Sequence, residues 1–143
     1  MLRIRDVLKT KGSNIWTVGS KITVYEALEV MAEKDIGALL VVDNEKLVGI
    51  FSERDYARKV VLRGKHAQDI QIEELMTKEV YSVTPNETVE ECMAVMTAAH
   101  CRHMPVFEDQ TLIGVVSIGD IVNATITEHK VKIRNLEKYI TGS

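Results

Sequence analysis

Two seven-residue stretches, Gly49-Ile-Phe-Ser-Glu-Arg-Asp55 and Gly114-Val-Val-Ser-Ile-Gly-Asp120, set a hydroxyl and a carboxylate three residues apart behind a glycine and two apolar residues. A serine followed three residues later by an acid is a capping box. Its hydroxyl and carboxylate satisfy backbone N–H groups that the first helical turn leaves without partners. The same helix start, with its N–H groups and the positive end of the helix dipole, also suits an anion. For one copy both readings stand, since such boxes open many helices. Two copies in one chain call for a reading of the whole sequence.

Other reactive side chains are few. Cys92 and Cys101 are the only cysteines, too few and too closely spaced for a disulfide framework or a four-ligand zinc site. Cys92 falls on the apolar face of a predicted helix, where cysteine behaves as a small hydrophobe. Cys101 lies beside His100, Arg102 and His103, which could lower its pKa and make it reactive, but an ordinary thiol is the favoured reading. The two histidines lack a third ligand at useful spacing, so no metal site is expected.

The formal charge of −3 is spread over interspersed acids and bases, with no basic block to track a phosphate backbone or hold an anionic membrane surface. The segment from Met1 to Asp6 has the character of no targeting leader, and no apolar run approaches membrane-spanning length. The expectation is a cytoplasmic protein that engages neither nucleic acid nor membrane.

A constant offset of 65 carries the first half onto the second without a gap, from about Trp16 to about Ala57. Thr23-Val24 falls on Thr88-Val89, Met31 on Met96, Val41 on Val106, and Ser52 and Asp55 on Ser117 and Asp120. A repeat of this length is one supersecondary unit written twice, each copy unable to bury its apolar face alone. With 143 residues the chain can build one substantial core, or two small halves sharing one.

Periodicity gives the unit. Thr17-Val18 and Ser82-Val83 read as short extended segments. Val24, Ala27, Leu28 and Met31, then Val89, Cys92, Met93 and Met96, follow the i, i+3, i+4, i+7 spacing of a helical face. Two apolar runs follow in each copy, Ala38–Val42 with Leu47–Phe51 and Met104–Phe107 with Leu112–Val116, parted by polar turns. They predict buried strand pairs. Closing helices start at Ser52 and Ser117. The order is strand, helix, strand, strand, helix, which predicts a three-stranded sheet with both helices on one face and an α/β (α+β) fold.

The repeats divide at residues 1–66, with an N-terminal segment, and 67–143, with a C-terminal helix. Residues 63–78 read as the polar linker, with Ile70, Ile72, Leu75 and Met76 expected to dock on the second unit. After Asp120 the apolar positions Val122, Ile126, Ile133, Leu136 and Ile140 keep a roughly helical spacing. They predict a long last helix reaching about Tyr139, whose exposed apolar residues suit self-association.

This pattern resembles a tandem pair of CBS domains, sometimes called a Bateman module, over almost the whole chain from Asp6-Val-Leu onward. The two Gly-x-x-Ser-x-x-Asp stretches and the segments Ile36-Gly-Ala-Leu-Leu-Val-Val42 and Cys101-Arg-His-Met-Pro-Val-Phe107 carry the likeness. The Phe-Ser-Glu-Arg-Asp-Tyr and Val-Ser-Ile-Gly-Asp-Ile stretches are similar to those of small stand-alone CBS-pair proteins. The resemblance implies two β-α-β-β-α repeats packed as a pseudo-twofold pair. It also implies a non-catalytic regulatory or sensor module that binds adenosine nucleotides in clefts between the repeats: AMP first, with ATP, ADP or NAD(H) as alternatives. A homodimer of such pairs and a regulated partner protein are implied with it.

Residue by residue, the resemblance assigns one site to Ser117, Gly119 and Asp120 together with Lys11, Trp16, Thr17, Val18, Ile36, Gly37 and Ala38, with Lys11 placed along the leading strand. The other takes Ser52, Arg54 and Asp55 with Thr77, Tyr81, Ser82, Val83, Arg102, His103, Met104 and Pro105. The aspartates would accept ribose hydroxyls, the serines and helix starts would hold phosphate, and Arg54, Arg102 and His103 are the cations placed for a phosphate chain. The chain departs from the family pattern at Gly119, where a hydroxyl residue is usual, and at Leu40, which stands where the second repeat has Pro105. Glu53 adds a negative charge beside the Asp55 copy, which favours the Asp120 site as the working one. The alternative function is a protein-interaction regulator of a partner enzyme or transporter with weak or vestigial nucleotide binding. An enzyme built on Cys101 and His103 lacks an orienting third residue.

Overall fold

A computed structural model describes residues 1–141; the last two residues of the 67–143 segment lie outside the described residues. In chain order the elements are α1 (Ile4–Lys11), β1 (Thr17–Val18), α2 (Val24–Lys34), β2 (Ala38–Asp43), β3 (Lys46–Ser52) and α3 (Glu53–Tyr56), then α4 (Val89–Ala99), β4 (His103–Glu108), β5 (Thr111–Ser117) and α5 (Ile118–Thr141). A turn of π-helix extends α3 from Ala57 to Val61.

The 65-residue repeat is visible at the level of single backbone angles. Thr23 and Thr88 cap α2 and α4, each accepting a hydrogen bond 3.1 Å long from the N–H three residues on, at Glu26 and Glu91. Such a cap contributes about 1 kcal/mol. Both helices end on a left-handed residue, Asp35 at φ 54° and His100 at φ 56°. The hairpin turns match too: Asn44 and Glu45 have φ of 49° and 65°, Asp109 and Gln110 of 48° and 70°. Two consecutive positive φ values make the type I′ turn, whose twist fits a tight antiparallel hairpin.

The chain forms two compact units, residues 16–80 and residues 1–15 with 81–143. In the unit 16–80, β1 runs parallel to β2 and β2 antiparallel to β3, giving the expected three-stranded sheet. Its core gathers Val24, Ala27 and Met31 of α2, Leu39 and Val41 of β2 and Phe51 of β3. Ile70, Ile72 and Leu75 belong to this core as well, which corrects the expectation that they dock on the second unit. The reason is backbone left open at the edge of β3 and at the start of α2. Ile50 of β3 exchanges both backbone hydrogen bonds with Thr77, at 2.9 and 2.8 Å. The Val24 and Ile72 N–H groups donate to the carbonyls of Ile70 and Ile22 at 2.8 and 2.9 Å. The connecting segment thus satisfies backbone groups that the β3 edge and the stretch leading into α2 would leave unpaired.

The unit of residues 1–15 and 81–143 repeats the plan with one strand reduced. β4 and β5 form an antiparallel pair, and the expected third strand shrinks to a parallel bridge of Val83 to Val106. α1, which the sequence reading did not single out, buries Ile4, Val7 and Leu8 against Val89, Cys92, Met104 and Val116. The Ile4 and Arg5 N–H groups donate to the carbonyls of Glu87 and Pro85 at 2.9 and 3.0 Å. Each leading segment is therefore packed with the repeat it does not precede, so the compact units differ from a division at residues 66 and 67.

Candidate functional site

The two Gly-x-x-Ser-x-x-Asp stretches each run from strand to helix, and their glycines admit a side chain from a leading segment. A Cβ on Gly114 would lie 2.7 Å from Leu8 Cδ2, and one on Gly49 would lie 2.6 Å from Met76 Sδ and 3.0 Å from the Thr77 carbonyl oxygen. Either would be a clash. With glycine present, α1 and the segment around Met76 lie flat on the strands and bring polar ends to the motif aspartates.

In the unit of residues 1–15 and 81–143 the motif closes as a capping box. The Asp120 N–H donates to Ser117 Oγ at 3.1 Å and the Ser117 N–H donates to Asp120 Oδ2 at 2.8 Å. Lys11 lies at the end of α1, not on a leading strand, and its Nζ donates to Asp120 Oδ2 and to the Val115 carbonyl, both at 2.7 Å. The Lys11 and Ser117 N–H donors thus share Asp120 Oδ2. Burial pushes the Asp120 carboxyl up, but the hydrogen bonds from Lys11 and Ser117 and the Lys11 charge outweigh it and hold the carboxyl below its ordinary value of 3.8. The Ile118 N–H donates to the Arg102 carbonyl at 2.8 Å, and His103 pairs with Ser117 across the hairpin. Arg102 is exposed, His103 half-buried, and Met104 and Pro105 buried behind them. Val83 is buried, its N–H donating to the Pro105 carbonyl at 3.1 Å, while Tyr81 and Ser82 are exposed.

The unit 16–80 builds the same motif with the aspartate more deeply buried. The Ser52 N–H donates to Asp55 Oδ2 at 3.0 Å, and the Asp55 N–H donates to Ser52 Oγ at 3.2 Å. Asp55 Oδ1 accepts from Thr77 Oγ1 at 3.3 Å and lies 3.1 Å from Lys59 Nζ, so both carboxylate oxygens are engaged. Asp55 is 9% exposed, and Lys59 also donates to the Leu75 carbonyl at 2.9 Å. The Glu53 N–H donates to the Gly37 carbonyl at 3.1 Å, matching the Ile118 to Arg102 bond, and Ala38 pairs with Ser52. Ile36 and Arg54 are half-buried. Thr17 and Val18 lie opposite Leu40 and Val41. Trp16 is exposed, with Lys34 Nζ 4.3 Å from its ring centre, a cation–π contact.

Each unit therefore brings one serine–aspartate pair together with its own hairpin start. Thr77 joins Ser52 and Asp55 as assigned, and Lys11 joins Asp120. Sequence reasoning missed Lys59. Its signal was the i, i+4 spacing from Asp55, an ordinary helical pair until the fold buries the acid. The assignment of phosphate cations to Arg54, Arg102 and His103 thus omitted two lysines, Lys11 and Lys59, which sit on the motif carboxylates themselves. Cys101 is not activated by its basic neighbours: burial raises its pKa, and Cys92 is pushed up to about 11 by burial and then by the charge of Glu87. Among the described residues no three His, Cys, Asp or Glu side chains are grouped to hold a metal, and no helix is long and apolar enough to cross a membrane.

The sequence signature of the CBS domain matches residues 4–62 and 72–126. A curated relative, the mitochondrial CBS domain-containing protein CBSX3 of Arabidopsis thaliana, is 38% identical over 97% of this chain and 72% of its own length. A solved protein with CBS domains from Burkholderia ambifaria is 46% identical with a TM-score of 0.84, covering 87% of this chain and 94% of its own. The CBS domain pair of protein MJ0100, solved in complex with 5′-methylthioadenosine and S-adenosyl-L-methionine, is 28% identical with a TM-score of 0.79, covering 90% of this chain and 98% of its own.

Proposed function

We propose that this chain, which belongs to the CBS-domain family, is a non-catalytic sensor that binds an adenosine nucleotide at the Ser117–Asp120 motif, with the Ser52–Asp55 motif as a weaker second site. The observation that carries the reading is the difference between the two aspartates. The bonds that Lys11 Nζ and the Ser117 N–H donate to Asp120 both fall on Oδ2, and its side chain retains 22% of its exposure. Asp55 is buried with both oxygens engaged. A ribose hydroxyl can donate to Asp120 without first breaking the cap, whereas at Asp55 it must displace Thr77 or Lys59. The adenosine-type ligands named for the MJ0100 pair support the ligand class.

The proposed ligand is AMP first, with ATP, ADP or NAD(H) as the competing members of the class. The full residue sets that the family resemblance gives around Asp120 and around Asp55 are part of the same proposal. So are a cytoplasmic location, a homodimer and a regulated partner protein. Calorimetric titration with a panel of adenosine ligands tests the reading: saturable heat with at least one is expected, and no heat with any of them up to about 1 mM, a free energy near −4 kcal/mol, sinks it.

A further inference from the structure

α5 presents two different faces. On one, Ile121 is fully buried and Ala124 packs against the core of its own unit. On the other, Val122, Ile126, Ile133, Leu136 and Ile140 are 44 to 80% exposed, and the fraction rises steadily toward the end of the helix. With His129, which is also exposed, these residues are spaced by alternating steps of four and three. That is the 3.5-residue period of a coiled-coil seam, not the 3.6 of a helix lying on a globular core. In heptad terms isoleucine fills every a position (Ile126, Ile133, Ile140), and Val122, His129 and Leu136 fill d.

We propose that residues 122–140 of α5 pair with the same segment of a second copy of this chain as a parallel, in-register, two-stranded coiled coil. Three features select this occupant and this orientation. Isoleucine at every a position, with Leu136 at one of the d positions, follows the pattern that favours two parallel strands. Lys132 at g and Glu137 at e are five residues apart, the separation at which g of one strand meets e of the other in a parallel pair, so the twofold axis forms two Lys132–Glu137 bridges. Lys132 now lies 3.3 Å from Glu128 in an exposed pair, an interaction weak enough to be redirected. Finally, in-register pairing sets His129 against His129 of the second copy, where one imidazole N–H can donate to the other ring. Any shifted or antiparallel pairing sets His129 against an aliphatic residue and strands a polar group in the seam.

The inference does not depend on nucleotide binding. Sedimentation equilibrium of the full chain should show self-association, and Ile133→Lys should weaken it at least tenfold, with thermal unfolding of the rest of the protein unchanged because Ile133 touches no core. His129→Leu should tighten association. In a Cys101→Ser background, His129→Cys should cross-link to itself under mild oxidation. A wild-type chain that stays monomeric overturns the proposal, as does assembly indifferent to Ile133→Lys. Cross-linking that appears only when cysteines are placed at both 129 and 133, which face each other when the same segments run antiparallel, overturns the orientation and with it the proposal.

Discussion

Lys11 Nζ lies 2.7 Å from Asp120 Oδ2, although 109 residues separate the two in the chain. The capping carboxylate of α5 is thereby tied to the last turn of α1, and its protonation is linked to the packing of the N-terminal helix. Because the Asp120 carboxyl is held below its ordinary value of 3.8, its contribution to stability is complete above that pH and is lost as pH falls through the folded value. Lys11→Met removes the stabilising charge and leaves the burial that raises the pKa, so the acid-side loss should begin at higher pH. At neutral pH the cost should stay below about 1 kcal/mol, since the pair is part-exposed. Thermal midpoints of both proteins across the acid range check this; superimposable profiles would show the ion pair to be inert.

The two motif aspartates should respond differently to the same change. Asp120→Asn is expected to weaken the tightest adenosine ligand by about tenfold or more, the loss of one charge-assisted bond, with little loss of stability. Asp55→Asn removes the charge that faces Lys59 and leaves one acceptor oxygen where two are engaged, so either the Ser52 N–H or Thr77 loses its partner, and it should cost about 1–3 kcal/mol of stability with a smaller effect on that ligand. Calorimetry and denaturant unfolding separate the two outcomes. Equal effects on affinity would remove the proposed ranking of the sites.

Gly114→Ala drives a methyl group into Leu8 and should destabilise by about 1–3 kcal/mol. Leu8→Ala added to it should recover part of that loss, giving a non-additive cycle. Gly49→Ala faces the Thr77 carbonyl as well as Met76, so Met76→Ala should recover less. Equal recovery in both cycles would mean that the backbone at Thr77 yields.

Neither thiol is activated. Cys92, with its pKa pushed up to about 11, should resist alkylation at pH 8 until the protein unfolds, and half-buried Cys101 should react more slowly than a free thiol. A Cys101 rate above that of a free thiol, measured with a chromogenic disulfide, would contradict the burial that raises its pKa.

The sequence by itself determined whatever depends on local period and on repetition. The apolar spacing of Val24 to Met31 and of Val89 to Met96, the paired runs around Asp43 and Glu108, and the recurring serine and aspartate fixed the helices, hairpins and caps, because each is set by neighbours within a few residues. The resemblance built on those stretches named the family. Tertiary structure alone decided the partners. Ile70, Ile72 and Leu75 complete the core of residues 16–80 because the connecting segment supplies backbone partners to Ile22 and Val24 at the start of α2 and to Ile50 at the open edge of β3. Lys11 reaches Asp120 because Gly114 lets Leu8 lie against the strand. Lys59 became part of the Asp55 site only when burial made an i, i+4 pair the counter-charge of a carboxylate shielded from water. Edge satisfaction, close approach and desolvation act between residues far apart in the chain, and no periodicity in the sequence records them.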